Sequence, residues 1–221
     1  YIGSIYATGH NTCYFEPFKG KAERPMILNL ESGGFMKLAP NRFDAEFDAQ
    51  SEKPGEQRLE KMVSGRYMGE LFGMAIAELL GEKGKKYGFT SIDMSNIILD
   101  ETAGLTEVGR IVSAKTGHDL EEVDRQRLQE LASALVVRSA RLVTATYVGI
   151  IWQLAGDDAI KKQHIAIDGS VYEKMPLAKE NIMRALSELL GESASLVDTV
   201  LENGGSGLGA AIAAAMSQKQ A

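Results

Sequence analysis

The chain has 221 residues, 44% of them hydrophobic and 24% charged, which is enough apolar material for a full core and argues against a disordered or fibrous chain. Its 24 Lys and Arg stand against 30 Asp and Glu, a net charge of -6 with no long basic run, so neither nucleic acid nor an anionic membrane surface is expected as a partner. A single cysteine, Cys13, has no internal disulfide partner, and with the scattered His10, His118 and His164 it forms no metal-ligand spacing; a reducing, cytoplasmic setting is expected.

Three strands are predicted first: Ile2 to Thr8, Thr12 to Glu16 after a turn at Gly9 to Asn11, and Met26 to Leu30, a β-meander by pattern. No basic leader with a hydrophobic stretch precedes them, so no targeting segment is expected. A start at Tyr1, directly in an apolar strand, suggests a piece of a longer chain. Residues Gly33 to Lys53 lack a regular period and read as a long loop.

From Pro54 the period becomes helical, with Leu59, Met62, Val63, Tyr67, Leu71, Phe72, Ala75, Ile76, Leu79 and Leu80 on one face. Pro54 suits the first turn of that helix. Gly65, Gly69 and Gly73 recur inside it, each costing about 1 kcal/mol against Ala; close helix packing and backbone access for a ligand both explain such a ridge. Breaks are expected at Gly81 to Gly88, Glu101 to Gly104 and Gly117 to Asp119, and one long helix from Leu120 to Leu154. The uncharged run Leu142 to Gly156 is shorter than the roughly 20 residues of a membrane span and reads as the buried central helix. A strand from His164 to Asp168, a helix from Pro176 to Leu190, a strand from Ser195 to Leu201 and a helix from Ala210 to Met216 complete the chain. The expected architecture is α/β, a single domain over residues 1–221, with a mixed five-stranded sheet: a three-stranded meander, then two strands alternating with helices that cover the sheet.

Three turns carry candidate chemistry. The loop Asn203 to Gly209 ahead of a helix offers backbone amides to a phosphate, although a tight structural turn has the same composition; it matches neither the dinucleotide fingerprint nor the P-loop. The turn Ala7 to Thr12 collects small and hydroxyl side chains, and Asp168-Gly169-Ser170 closes a strand; both are also compatible with ordinary turns. Among the carboxylates, Glu31 follows the third strand, and Glu60 stands beside Leu59, Met62 and Val63 on the side expected to be buried. Fixed carboxylates are good acceptors for sugar hydroxyls, because a charged acceptor takes two strong hydrogen bonds.

In combination and in this order, these segments resemble the hexokinase family over nearly the whole chain. The residues that carry the resemblance are Thr8-Gly9-His10-Asn11-Thr12-Cys13-Tyr14, Asn29-Leu30-Glu31-Ser32-Gly33-Gly34, the long run Pro54 to Glu70, Asp168-Gly169-Ser170-Val171-Tyr172 and Gly205 to Ala211. The resemblance implies the large, carboxyl-terminal lobe of an actin-like, ribonuclease H-like fold. It implies that Asn11, Glu31, Gln57 and Glu60 contact a hexose, and that Thr8 and Gly9 meet the terminal phosphates of MgATP. It further implies that Gly65, Arg66, Gly205, Ser206, Gly207 and Gly209 line the nucleotide. The catalytic base of the family lies in a small lobe that should precede Tyr1, so no catalytic residue and no protein-held metal is assigned here, magnesium coming with the ATP.

Departures fall on the nucleotide side: Ala7 and His10 in the hairpin, Gly204 in the last loop, and Lys85-Lys86-Tyr87-Gly88-Phe89 in place of a Thr-Arg-Gly-x-Phe segment. The implied reaction is ATP-dependent phosphorylation of a hexose, glucose by resemblance, at its 6-hydroxyl. A non-catalytic sugar-sensing relative and a kinase for another sugar are the alternatives.

Overall fold

A computed structural model describes residues 1–16, 26–205 and Gly209. Strands β1 (Ile2–Tyr6), β2 (His10–Glu16) and β3 (Met26–Asn29) form the predicted meander, and β4 (Gln163–Asp168) and β5 (Val197–Leu201) extend it on the other side. The sheet order is β3-β2-β1-β4-β5; the β1–β2 and β2–β3 pairs are antiparallel, and the β1–β4 and β4–β5 pairs parallel. Alternation along β1 and β2 sends Ile2, Tyr6 and Tyr14 into the core, as period-two patterning requires.

Against that face lies the longest helix, α6 (Glu122–Ala155), which is close to the predicted span. Val136, Ala140, Val143, Tyr147 and Ile151 form one buried stripe along it. It is the one helix among the described residues long and apolar enough to cross a membrane, and its apolarity is used for core packing. Two buried hydroxyl pairs pin it to the sheet: Tyr147 Oη lies 2.8 Å from Ser4 Oγ, and Tyr6 Oη 2.6 Å from Ser139 Oγ. Burial raises the pKa of both tyrosines well above the usual phenol value, because the charged form loses its hydration. Helix α8 (Ala178–Leu190), preceded by the short α7 (Ser170–Lys174), packs beside α6 and crosses over to β5.

The region between the meander and α6 departs most from expectation. The segment read as a loop contains α1 (Arg42–Gln50), whose start is fixed by a capping box: Asn41 accepts from Asp44 N, and Asp44 accepts from Asn41 N. The single helix expected from Pro54 is two, α2 (Arg58–Val63) and α3 (Gly65–Leu79). Ser64, with φ -77 and ψ 153, separates them. The side chains across the break keep a helical period, so the interruption is tertiary in origin. Ser139 Oγ donates to Val63 O at 2.6 Å, and Gly65 N donates to Ala7 O at 2.8 Å. Helices α4 (Ser91–Ile98) and α5 (Thr106–Thr116) then fill the interval before α6. The predicted helix Ala210 to Met216 lies outside the described residues.

Candidate functional site

The β1–β2 turn, the residues after β3 and the start of α2 meet at one corner of the sheet. His10 N donates to Glu60 Oε2 at 3.1 Å, so the strand itself holds one oxygen of that carboxylate. Between them sits Gly33, in a short 3-10 turn (Ser32–Gly34). A Cβ there would lie 2.8 Å from His10 O, 2.9 Å from Gln57 Oε1 and 3.1 Å from Glu60 Cβ. Only glycine lets the three segments approach so closely.

Asn11 and Glu31 join the same corner through Asn29. Asn11 Oδ1 accepts from Thr12 N at 2.7 Å and Ser32 N at 3.1 Å; Asn11 Nδ2 donates to Asn29 Oδ1 at 2.8 Å; and Asn29 Nδ2 donates to Glu31 Oε1 at 2.6 Å. Glu31 and Gln57 both occupy the left-handed region, each with φ 49. That conformation costs on the order of 1 to 3 kcal/mol for a side chain other than glycine and collects at functional sites. Bonds on either side of Glu31, from Leu30 N to Thr12 O and from Ser32 N to Asn11 Oδ1, hold it there. The structure thus brings together all four residues expected on the sugar side: Asn11, Glu31, Gln57 and Glu60.

Sequence reasoning passed over three supports. Buried His10 donates from Nδ1 to Ile5 O at 3.1 Å, since a carbonyl only accepts, which leaves Nε2 to accept from Ser32 Oγ at 3.4 Å. Burial lowers its pKa to about 4, against the smaller opposing effect of the Ile5 carbonyl. Lys61, almost fully buried, donates to Asp48 Oδ1 at 2.5 Å and Lys53 O at 2.6 Å, while Asp48 Oδ2 accepts from Gly55 N at 2.9 Å. Burial alone would raise the Asp48 pKa; the Lys61 and Gly55 bonds override it and hold the carboxyl below its usual value. This clamp closes the turn that delivers Gln57. Its signal in the sequence was a lysine on the apolar side of a predicted helix; Asp48 offered none. Asn29 was legible only as part of its segment.

Beside the corner opens a cavity of about 640 Å³. Thr8, Gly65 and Arg66 line it together with Gln57 and with Lys85 to Ser91, so it includes both nucleotide-side and sugar-side candidates. Gly65 also meets a packing demand: a Cβ there would stand 2.8 Å from Val171 and 3.1 Å from Ala7 O. Gly69 packs still more tightly, 2.6 Å from Phe89 O, and Gly73 faces the Phe89 ring. The glycine ridge is therefore a packing feature throughout, with cavity access at Gly65 and Gly73. Arg66 is held by Glu52 and Glu70 and lies over the Tyr67 ring.

Gly9 abuts the same corner, its added Cβ 3.0 Å from Glu60 Oε2. Gly169 lies against Tyr6 O and Ala7, so the β4 end reaches the hairpin, and a Cβ on Gly205 would come within 3.9 Å of Asp168 Oδ2, so the start of the last loop lies by that β4 end. Ser206 and Gly207 lie outside the described residues, and Gly209 is described as exposed.

The sheet order and the hairpin placed over a helix start are those of the actin-like ATPase, ribonuclease H-like fold class. A sequence profile described as Hexokinase matches residues 1–216. Hexokinase-2 of Candida albicans is 32% identical over 99% of this chain and 51% of its own length. Hexokinase-7 of Oryza sativa subsp. japonica is 36% identical over 98% of this chain and 52% of its own. A solved structure of a hexokinase from Schistosoma mansoni complexed with glucose superimposes with a TM-score of 0.77, at 23% identity, over 91% of this chain and 49% of that one. The chain belongs to the hexokinase family, and it spans about half the length of the curated relatives it matches.

Proposed function

We propose that residues 1–221 are the large lobe of an ATP-dependent hexose kinase. The observation that supports this reading most is the convergence of Asn11, Glu31, Gln57 and Glu60 on one corner, beside a cavity that Gln57 shares with Thr8, Gly65 and Arg66. In this reading Glu31 and Glu60 accept hydrogen bonds from sugar hydroxyls, and Asn11 and Gln57 complete the ring of contacts. Glucose is the preferred candidate, because the Schistosoma mansoni relative is named with glucose bound. Thr8 and Gly9 meet the terminal phosphates, while Gly65, Arg66 and Gly205, with Ser206, Gly207 and Gly209, flank the rest of the nucleotide.

The lobe contributes position and electrostatics to a reaction that needs little else from the protein. The glutamates orient the sugar so that its 6-hydroxyl faces the γ-phosphoryl group. Among the described residues no three His, Cys, Asp or Glu converge as a metal site; in this reading magnesium arrives on the nucleotide phosphates and offsets their charge. The general base belongs to a second, small lobe, which also closes the site against water. Without it the 1–221 segment binds ligands and does not turn over, since loss of a general base alone costs about 10² to 10⁴ in rate. The single cysteine fits a cytoplasmic setting.

The test is a coupled kinase assay on the full-length protein with ATP and a panel of hexoses. Turnover of glucose supports the reading; turnover of another hexose alone moves it to a kinase for that sugar. Glucose binding without turnover of any hexose identifies the non-catalytic, sugar-sensing alternative.

A further inference from the structure

Hydrogen-bond direction at the corner is fixed by the backbone. Thr12 N–H and Ser32 N–H only donate, at 2.7 Å and 3.1 Å, so the atom of Asn11 facing them is its oxygen. The Asn11 amide nitrogen must therefore donate to the oxygen of Asn29, and the Asn29 nitrogen in turn donates to Glu31. Each orientation determines the next, and the chain ends on a carboxylate, which when ionised can only accept.

The remaining valences follow by counting. Both acceptor positions of Asn11 are occupied, and one of its two N–H groups is spent on Asn29. Asn11 therefore offers an incoming ligand one donor and no acceptor. Glu31 accepts one bond at Oε1, from Asn29, and Glu60 one at Oε2, from His10 N, so each carboxylate keeps further acceptor positions for a ligand. Two carboxylates with open acceptor positions thus share the corner with one open donor.

From this we infer that Asn29 is the positioning and selectivity residue of the sugar corner. This rests on the hexose reading above. Asn29 relays the direction set at Asn11: it takes up one Asn11 N–H, leaving a single donor open, and it holds Glu31 Oε1, leaving Glu31 as the acceptor for a ligand hydroxyl that accepts from one and donates to the other. A ligand lacking that hydroxyl leaves both groups unanswered, which is how a site built on hydrogen bonds rejects a deoxy analogue. Asn29 touches Glu31 and Asn11 and acts through them; it makes no claim on the reacting atoms. It is the last residue of β3, and its side chain is exposed, so it can be replaced without opening the core.

The experiment uses the full-length protein, Asn29→Leu and Asn29→Gln, with glucose and the set of monodeoxyglucoses as probes, read by titration calorimetry. The wild type is expected to bind glucose and to penalise one monodeoxyglucose above the others. In Asn29→Leu glucose affinity falls roughly tenfold, the range of one charge-assisted hydrogen bond. The penalty for that same deoxy sugar shrinks several-fold, while penalties for the others stay unchanged. Asn29→Gln, which retains an amide, recovers part of the selectivity. Equal weakening for every sugar would make Asn29 merely structural and overturn the inference, as would glucose affinity and selectivity unchanged in Asn29→Leu. A wild type that binds none of these sugars overturns the hexose reading, and the role of Asn29 with it.

Discussion

Burial holds His10 neutral, and the consequence is a stability that depends on pH. Its folded pKa, about 4, lies below the ordinary value of 6.5. Between those values the unfolded chain binds a proton that the folded chain does not, so acid favours unfolding. The His10 contribution is fully present above about pH 6.5 and is lost as pH falls towards 4. A shift of that size corresponds to roughly 3 kcal/mol at its limit. His10→Asn should flatten the fall in melting temperature between pH 6.5 and 4; an unchanged slope would mean that His10 is not held neutral. The histidine was visible in the sequence as a departure within the hairpin, but its burial depends on Ser32 and Ile5 closing over the ring, which no local pattern encodes.

At the scale of elements, the glycines of α3 and the Lys61 clamp give two predictions with opposite intuitions. Helix propensity alone would make Gly69→Ala stabilising by about 1 kcal/mol. The added methyl would instead stand 2.6 Å from Phe89 O and 2.7 Å from the Thr90 backbone. The variant should therefore lose about 2 kcal/mol by denaturant unfolding; a gain would show that the 89–90 segment yields freely. Lys61→Met keeps the length of the side chain and removes its charge, leaving Asp48 without its ammonium partner. A loss of about 3 kcal/mol is expected, together with faster hydrogen exchange at Gly55, whose N–H that carboxylate accepts. Exchange at Gly55 equal to wild type would separate the clamp from the turn.

Elements with strong internal periods were legible in the sequence: the meander, α6, α8 and β4 all fall within a few residues of expectation. The break at Ser64 was not, because residues on both sides keep the same apolar face and the interruption is imposed by Ala7 and Ser139. Helix α1 escaped for a different reason. Its capping box is local, but Asp44 also accepts from Arg138 on α6, so much of what anchors it lies far away in sequence. The candidate sugar corner was legible as residue types in order, while the left-handed backbone at Glu31 and Gln57 that aims them was not.

Under the proposed function, residues 1–221 present the sugar carboxylates and the phosphate hairpin, and a second lobe brings the base and closure. The 1–221 segment should therefore show ATP-dependent protection of residues 65–67 and Gly205 from hydrogen exchange without phosphorylating glucose. No response to ATP would remove these residues from the nucleotide site, and measurable turnover would place a base within this chain.

The most direct test of the central claim, that Glu60 is a sugar ligand at a kinase site, is the glucose KM of Glu60→Gln in the full-length protein at saturating ATP. The variant keeps the size of the side chain and an oxygen able to accept from His10 N, and loses the charge. The account predicts a KM raised about tenfold or more, on the scale of a charged acceptor exchanged for a neutral one. A KM equal to wild type would contradict it.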